Sequence, residues 1–126
     1  MKATGSPKAE VGGRWLLSVD GASNQARSGA GVILESSNGV LIEQLLHFEF
    51  KTSNNQVEYE ALLVGMRLAK ELEAKVLIAK SDSKLMTVQV NGEYQARDPQ
   101  LVKYLDRTTK LAAAFEKFTL HHVPRE

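Results

Sequence analysis

The sequence lacks cysteine and any long apolar run, and each absence excludes a class of protein. None of the 126 residues is a cysteine, which excludes disulfides and thiolate metal sites. No apolar stretch approaches the roughly 18 residues that a membrane-spanning helix needs. The N-terminus has no apolar signal-peptide core, so the expected location is intracellular, cytoplasmic or nuclear. The net charge is only +1, so nucleic-acid binding would have to come from local patches.

What remains is the composition of one ordinary globular domain. Hydrophobic residues make up 43% and charged residues 25% of the chain, which is typical of a folded domain with a core of its own. Residues 1–13 are rich in glycine, proline and small side chains without periodicity. They predict a flexible leader or linker, and residues 14–126 are predicted to form the domain.

The first strand is the stretch around which the rest of the chain is organised. Trp15, Leu17 and Val19 alternate with Arg14, Leu16 and Ser18, which predicts a strand with one apolar face. Asp20 follows at its carboxyl end, and Gly21 permits a turn. Carboxyl ends of strands are where α/β sheets usually place ligand chemistry. The alternative is a plain Asp-Gly turn, which is among the commonest turn pairs.

Further strands are predicted on both sides of a helical middle. Residues 29–35 and 40–48 read as two strands that Asn38-Gly39 joins as a hairpin. The apolar run 76–79 predicts a buried parallel strand, and residues 118–123 predict a fifth.

Three helices are predicted between these strands. Asn55 is a plausible N-cap for the first, whose apolar residues recur at helical spacing up to Leu72. The second follows residues 81–83 and stops at Asn91-Gly92. Asp98 and Pro99 begin the third, which is predicted to run from about Gln100 to Phe115. Its predicted apolar stripe contains Leu101, Val102, Leu105, Thr108, Leu111, Ala112 and Phe115. The order β-β-β-α-β-α-α-β predicts an α/β fold with a mixed sheet.

Three carboxylates are expected to converge in this fold. Asp82, like Asp20, follows an apolar strand, and parallel neighbouring strands would bring both acids to one edge. Glu58 shares a helical stripe with inward-facing Leu62, whereas Glu60 lies about 200° round the helix and is expected to be solvated. Each acid also has a structural alternative: a turn for Asp20, a capping box for Glu58, and, for Asp82, an N-cap at Asp82 or Ser83.

A cluster of three acids in an open cleft is typical of a site for Mg²⁺ or Mn²⁺. These ions prefer oxygen ligands and keep several waters, and two of them can catalyse phosphodiester hydrolysis. The residues alone leave the metal site and the three structural alternatives equally open.

Five sequence motifs, taken in order, resemble those of ribonuclease H, and in particular the ribonuclease H domains of gypsy-type retrotransposon polyproteins in plants. They are Val19-Asp-Gly-Ala-Ser23, Gly29-Ala-Gly-Val32, Ser53-Asn-Asn-Gln-Val-Glu-Tyr-Glu-Ala-Leu62, Ser81-Asp-Ser83 and His122-Val-Pro-Arg-Glu126. The resemblance implies a five-stranded mixed sheet in the order 3-2-1-4-5 with flanking helices. It also implies metal-dependent cleavage of the RNA strand of RNA–DNA hybrids.

The resemblance assigns roles to individual residues. Asp20, Glu58 and Asp82 would be catalytic and would hold Mg²⁺ (or Mn²⁺). His122 would assist proton transfer or product release, although a strand-end histidine without a special role fits equally well; His121 alternates to the opposite face. The residues assigned to nucleic-acid contact are Ser23, Asn54, Asn55 and Lys84, and helix capping is the alternative for the two asparagines.

The family pattern continues beyond Glu126, the last residue of this chain, into a fourth carboxylate and a final helix. The expectation is one well-formed cation site, a second site with only Asp20, and impaired hydrolysis. Part of one sheet face would be uncovered, which favours association or lower stability. Without a tryptophan-containing basic extension, hybrid affinity should be modest and dependent on salt.

Three functions therefore remain after sequence analysis. The first is a ribonuclease H whose activity is reduced by truncation, with the reverse-transcriptase segment of a parent polyprotein as a further partner. The second is a module of the same fold that binds nucleic acid without cleaving it. The third is a small α/β interaction domain whose acids are only caps and turns.

Overall fold

The computed structural model describes residues 13–23, 28–48, 54–93 and 95–124. The predicted leader, apart from Gly13, lies outside this part of the chain. The strands are β1 (Arg14–Ser23), β2 (Ser28–Ser36), β3 (Leu41–Phe48), β4 (Val76–Ser81) and β5 (Lys117–His122). The helices are α1 (Asn54–Glu71), α2 (Lys84–Val90) and α3 (Pro99–Ala112). Among the described residues, no helix is both long and apolar enough to cross a membrane.

The five strands form one mixed sheet in the order β3-β2-β1-β4-β5, which confirms the predicted fold class. β1 is antiparallel to β2 and parallel to β4, and β4 is parallel to β5. The hairpin between β2 and β3 turns where it was predicted: Gly39 has φ +96°, a conformation that glycine adopts without strain. Its N–H donates to the Ser36 carbonyl at 3.1 Å.

Helix α1 covers the face of the sheet to which Leu17 belongs. Leu62, Met66 and Ala69 of the helix are fully buried. Gly65 permits this close packing, because a Cβ atom at this position would lie 2.5 Å from Leu17 Cδ1. The inward stripe predicted from helical spacing is therefore confirmed, and it fixes the height of α1 above β1.

Helix α3 begins where it was predicted and ends earlier. Asp98 is its N-cap, and its Oδ1 accepts from the Gln100 N–H at 2.8 Å. The helix ends at Ala112, and Phe115 is buried from the following turn. The predicted stripe is wrong at Val102, which is 43% exposed, because the helix rests on α1 through a narrower face that includes Leu101 and Thr108.

The face of the sheet opposite α1 exposes apolar side chains on its β2–β3 side. Leu45 is 75%, Leu41 57% and Ile33 38% exposed. Ile33 lies opposite Ser18 in the register and alternates along β2 with buried Val32 and Leu34. The exposed apolar side chains therefore lie on the same face of the sheet as Ser18.

Candidate metal centre and nucleic-acid interface

The parallel register of β1 and β4 brings two acids to one edge of the sheet. Val19 lies opposite Ser81 at the end of the parallel pairing, so the next residues, Asp20 and Asp82, lie at the same level. The predicted end of β1 at Asp20 is wrong, as is the Asp-Gly turn, because the strand stays paired with β2 as far as Ser23. The arrangement follows from the sequence, since a largely apolar segment precedes each acid: residues 15–19 before Asp20 and residues 76–79 before Asp82. The predicted proximity of these two carboxylates is thereby explained by the backbone.

Glu58 reaches the same edge from the first turns of α1. Its side chain is 3% exposed because it shares the inward stripe with Leu62. One carboxylate oxygen from each of Asp20, Glu58 and Asp82 lies within 4.8 Å of the other two. The three acids differ in burial: Asp20 is exposed, Asp82 is half-buried and Glu58 is buried. The structure thus brings together all three predicted metal ligands.

Glu58 accepts a hydrogen bond that was not predicted. The Ser81 hydroxyl donates to Glu58 Oε1 at 2.7 Å, and the Ser83 N–H donates to Ser81 Oγ at 3.0 Å. The capping-box alternative placed the Glu58 side chain against the backbone at the start of the helix. In the structure its Oε1 accepts from the hydroxyl of Ser81, at the end of β4.

The capping role considered for Asn55 is wrong. Helix α1 already begins at Asn54, so Asn55 lies in the first helical turn rather than before it. The half-buried Asn55 side chain has a different partner, since its Oδ1 accepts from the Ser83 hydroxyl at 3.2 Å. The helix therefore begins at least one residue earlier than the capping signal at Asn55 predicted.

Of the two N-caps considered before α2, Ser83 is confirmed and Asp82 is wrong. Ser83 Oγ accepts from the Met86 N–H at 3.2 Å. Asp82 is therefore placed in the acid cluster by its position between the end of β4 and this cap.

An open cleft of about 250 Å³ lies beside the acids. It is lined by Ser18, Val19, Asp20, Lys80, Ser81, Asp82, Val123 and Pro124. Of these lining residues, only Asp20 and Asp82 were predicted as site residues. Ser18 and Lys80 lie opposite each other in the register, a relation that only the pairing of the two strands reveals.

The remaining predicted site residues surround this edge at different positions. His122 is the last residue of β5, is exposed, and lies opposite Ser81 in the register. Lys84 is exposed at the first position of α2. Ser23 ends β1 and Asn54 begins α1, but their side chains lie outside the described part of the structure. The functions of these residues stay predictions.

Glu60, which was predicted to be solvated, is half-buried. Its Oε2 accepts from the Tyr104 hydroxyl at 2.7 Å. Helical geometry correctly places Glu60 away from the cluster, but α3 packs against that side of α1 and supplies the donor.

The acid cluster fits a hard divalent cation. Its three ligands offer carboxylate oxygens, the donors that Mg²⁺ and Mn²⁺ prefer, and the open cleft leaves room for the waters that Mg²⁺ retains. Asp20, Glu58 and Asp82 are the residues that would hold the ion.

Comparison with known proteins agrees with this fold. A family model described as reverse transcriptase-like matches residues 18–126. Ribonuclease HI of Halobacterium salinarum is 30% identical over 116 residues, which cover 90% of this chain and 58% of that protein. The bifunctional protein Rv2228c of Mycobacterium tuberculosis is 27% identical over 113 residues, which cover 87% of this chain and 31% of that protein. The chain thus spans less than two thirds of either curated relative.

Solved structures extend the similarity to three dimensions. The crystal structure of the Halobacterium salinarum RNase H1 has a TM-score of 0.81 at 29% identity and covers 89% of this chain and 86% of that one. The N-terminal RNase H domain of Rv2228c has a TM-score of 0.82 at 28% identity, with coverage of 89% and 83%. LC11-RNase H1, solved in complex with an RNA/DNA hybrid, shares the fold at a TM-score of 0.79 and 21% identity, with coverage of 88% and 86%.

A five-stranded sheet in this order, with three acids at the edge of β1 and β4, defines the class of ribonuclease H-like proteins. The chain belongs to the ribonuclease H family, in the group that the reverse transcriptase-like model describes. Membership is supported by the match of that model over residues 18–126 and by the similarity to the two relatives.

Proposed function

We propose that this protein is a metal-dependent endonuclease that hydrolyses the RNA strand of RNA–DNA hybrids. The observation that carries the proposal is the convergence of Asp20, Glu58 and Asp82 within 4.8 Å at the carboxyl edge of a ribonuclease H sheet. Membership of the family and the relative named ribonuclease HI support the reaction class.

The three carboxylates would hold Mg²⁺ or Mn²⁺ against the scissile phosphate. When bound, such an ion neutralises phosphate charge and lowers the pKa of water. The protein's part is to keep the ligands in place. Glu58 is buried and hydrogen-bonded, whereas exposed Asp20 faces the cleft through which the phosphate would enter. His122, at the end of β5, would assist proton transfer or product release.

Asn55 is suited to recognising the RNA strand. Its Oδ1 already accepts from the Ser83 hydroxyl, so its amide nitrogen remains as a donor group. A 2′-hydroxyl oxygen, which distinguishes RNA from DNA, accepts such a donor. Exposed Lys84 is placed to contact a phosphate, where it would add affinity without sequence preference. Asn54 and Ser23 would contribute further contacts to the nucleic acid.

Cleavage of a labelled RNA–DNA hybrid in Mg²⁺ or Mn²⁺ tests the proposal, with single-stranded and double-stranded RNA as controls. We expect cleavage of the hybrid alone, dependent on the added ion and lost in Asp20→Asn. Cleavage without a divalent ion, or equal cleavage by Asp20→Asn, would contradict the proposed role of the cluster.

A non-catalytic hybrid-binding module is the second candidate function. The observation that favours it is that the metal-competent cluster in the described residues contains three acids, which suffice for one cation site, whereas two-metal hydrolysis needs ligands for a second. Tight hybrid binding without metal-dependent turnover would favour this candidate. Cleavage gained by adding a fourth carboxylate on an extended C-terminal segment would contradict this candidate and support an impaired nuclease.

We also propose that the chain acts beside a reverse-transcriptase segment in a retrotransposon polyprotein. The sequence motifs and the description of the matching family support this context. Long-read sequencing of the encoding transcript would test it. We expect one open reading frame that joins this domain to a polymerase domain, and an isolated reading frame would contradict the proposal.

A further inference from the structure

The Ser81-Asp82-Ser83 motif contributes more than its acid. Ser81 is 2% exposed at the last position of β4, and its hydroxyl donates to Glu58 Oε1 at 2.7 Å. Glu58 is itself 3% exposed. A hydrogen bond to a carboxylate is shorter and about twice as strong as a neutral one, and its loss costs most when the acceptor is buried.

The direction of the Ser81 hydroxyl is fixed by a second hydrogen bond. The Ser83 N–H donates to Ser81 Oγ at 3.0 Å, which occupies the oxygen as an acceptor. The hydroxyl proton is therefore available to Glu58. The backbone also holds Ser81 in place, because its carbonyl accepts from the Val123 N–H at 2.8 Å. The donor that meets Glu58 is thus part of the rigid sheet rather than of a mobile loop.

Ser83, the other serine of the motif, binds α1 one turn before Glu58. The Ser83 hydroxyl donates to Asn55 Oδ1 and its oxygen accepts from the Met86 N–H. The two serines that flank Asp82 therefore bind two residues of α1, which orients the start of the helix toward the end of β4.

We propose that Ser81 is a positioning residue, which fixes the Glu58 carboxylate for a divalent cation together with Asp20 and Asp82. This inference rests on the proposed function, since it concerns the same metal centre. A ligand held by an outer hydrogen bond binds the ion without first losing rotational freedom, and removal of such partners typically lowers metal affinity or activity by about 10- to 100-fold.

Three substitutions at one position separate this role from packing. Ser81→Ala removes the hydroxyl. Ser81→Cys keeps the size of the side chain but offers only a weak donor. Ser81→Thr restores the hydroxyl on a residue that suits a strand. The matched control is Ser36→Ala, because Ser36 is also a buried strand-end serine, at the end of β2; its hydroxyl donates to Asn38 and accepts from the Val40 N–H.

Calorimetric titration of Mg²⁺ into the folded protein without nucleic acid gives the main readout. We expect Ser81→Ala and Ser81→Cys to weaken Mg²⁺ binding by about 10-fold or more. Ser81→Thr should bind close to the wild type, and Ser36→Ala should bind as the wild type does. In hybrid cleavage at fixed Mg²⁺, Ser81→Ala should lower kcat and leave KM for the hybrid unchanged.

The outcomes distinguish the two proposals. If the wild type binds Mg²⁺ and cleaves the hybrid, and Ser81→Ala matches it in affinity and kcat while its melting temperature falls as in Ser36→Ala, Ser81 is only structural and the positioning role is wrong. A wild type that neither binds Mg²⁺ nor cleaves overturns the proposed function and the positioning role with it.

Discussion

The two sides of helix α1 each carry a glutamate that accepts a hydroxyl hydrogen bond, yet they differ in what surrounds that glutamate. Glu58 accepts from Ser81 and Glu60 accepts from Tyr104, both at 2.7 Å. Glu58 lies within 4.8 Å of two further carboxylates. Glu60, in contrast, faces α3 and an aromatic cluster. A satisfied glutamate is therefore no evidence of a site, and the added carboxylates are what distinguish one side from the other.

The Glu60 side joins three helices by packing. The rings of Tyr104 and Tyr59 stack with centroids 5.6 Å apart and planes 8° from parallel. The Tyr59 hydroxyl donates to buried Gln89 Oε1 at 2.8 Å, which connects α1 to α2. This side stabilises the fold, and the Glu58 side serves the proposed reaction. Substitutions on each side should therefore change different measurements.

The largest effect is expected from the matched pair Glu58→Gln and Glu60→Gln. Glu58→Gln keeps a side-chain oxygen for Ser81 but removes the charge that a cation needs. Removal of the hydrogen-bond partner of a metal ligand typically lowers metal affinity or activity by about 10- to 100-fold. Loss of the ligand itself should therefore lower the rate of hybrid cleavage by at least about 100-fold. Glu60→Gln should cleave at the wild-type rate. Equal losses in both variants would contradict the functional separation of the two sides.

The same pair predicts a difference in the response of stability to Mg²⁺. An ion that binds only the folded state raises the melting temperature, so added Mg²⁺ should stabilise the wild type and Glu60→Gln but not Glu58→Gln. Fluorescence of Trp15, the sole tryptophan in the sequence, offers the measurement. An unchanged Mg²⁺ response in Glu58→Gln would show that the ion binds elsewhere.

Gly65→Ala should disturb the surface between the two sides, where α1 rests on β1. The added Cβ would lie 2.5 Å from Leu17 Cδ1 and 2.8 Å from Leu17 Cδ2, and Leu17 is fully buried. Overpacking of a core typically costs about 1–3 kcal/mol, which exceeds the gain of up to about 1 kcal/mol in helix propensity. Urea unfolding should show a net loss of stability.

Gly31→Ala is the control for this substitution, because the nearest atom to its added Cβ is Leu45 Cδ2 at 3.9 Å. This distance is an ordinary van der Waals contact. Gly31→Ala should retain wild-type stability, and a Gly65→Ala variant as stable as this control would mean that α1 can shift away from the sheet at little cost.

Most of the fold and the three acids could be predicted because local patterns encode them. The largely apolar segments that precede Asp20 and Asp82 predicted that both acids lie at one edge of the sheet, and the helical stripe through Leu62 turned Glu58 inward. Asn38-Gly39 marked the hairpin. In each case, periodicity or turn chemistry within one segment carried the information.

The errors fall where the answer depends on a second segment. The donor to Glu60 is Tyr104, 44 residues away, and the helical angle of Glu60 cannot reveal it. Ser81 lies at a strand end like many serines, and its role depends on where α1 brings Glu58. Asn55 fitted the capping rule, but α1 already begins at Asn54, and the rule alone does not fix where a helix begins.

Tyr104→Phe should lower the stability contributed by the Glu60 side of α1 without affecting hybrid cleavage. The substitution removes the hydroxyl that donates to Glu60 and keeps the ring that stacks on Tyr59. A hydrogen bond of this kind contributes on the order of 1 kcal/mol, so urea unfolding should show a loss of about that size. Hybrid cleavage should stay at the wild-type rate, and a fall in kcat would connect the two sides of α1.

The smallest expected effect is a loss of stability at high pH that arises from Tyr59 and Tyr104 on the Glu60 side of α1. Burial raises the pKa of Tyr59 from 10.0 to about 12. Burial also raises the pKa of Tyr104 to about 12, with further contributions from the hydrogen bond to Glu60 and from its charge.

The sign of this effect follows from proton binding. Above the unfolded pKa of about 10, the unfolded chain has lost tyrosine protons that the folded protein still holds, so stability falls as pH rises. The contribution is complete below about pH 10 and disappears through about pH 12. Lysines also titrate in this range, and the Tyr59→Phe/Tyr104→Phe double variant separates the two causes. Its urea stability, followed through Trp15 fluorescence from about pH 8 to about pH 11, should decline less steeply than that of the wild type. Parallel curves would mean that both hydroxyls ionise as readily in the folded state as in the unfolded one, and the aromatic cluster would then be open to water rather than packed.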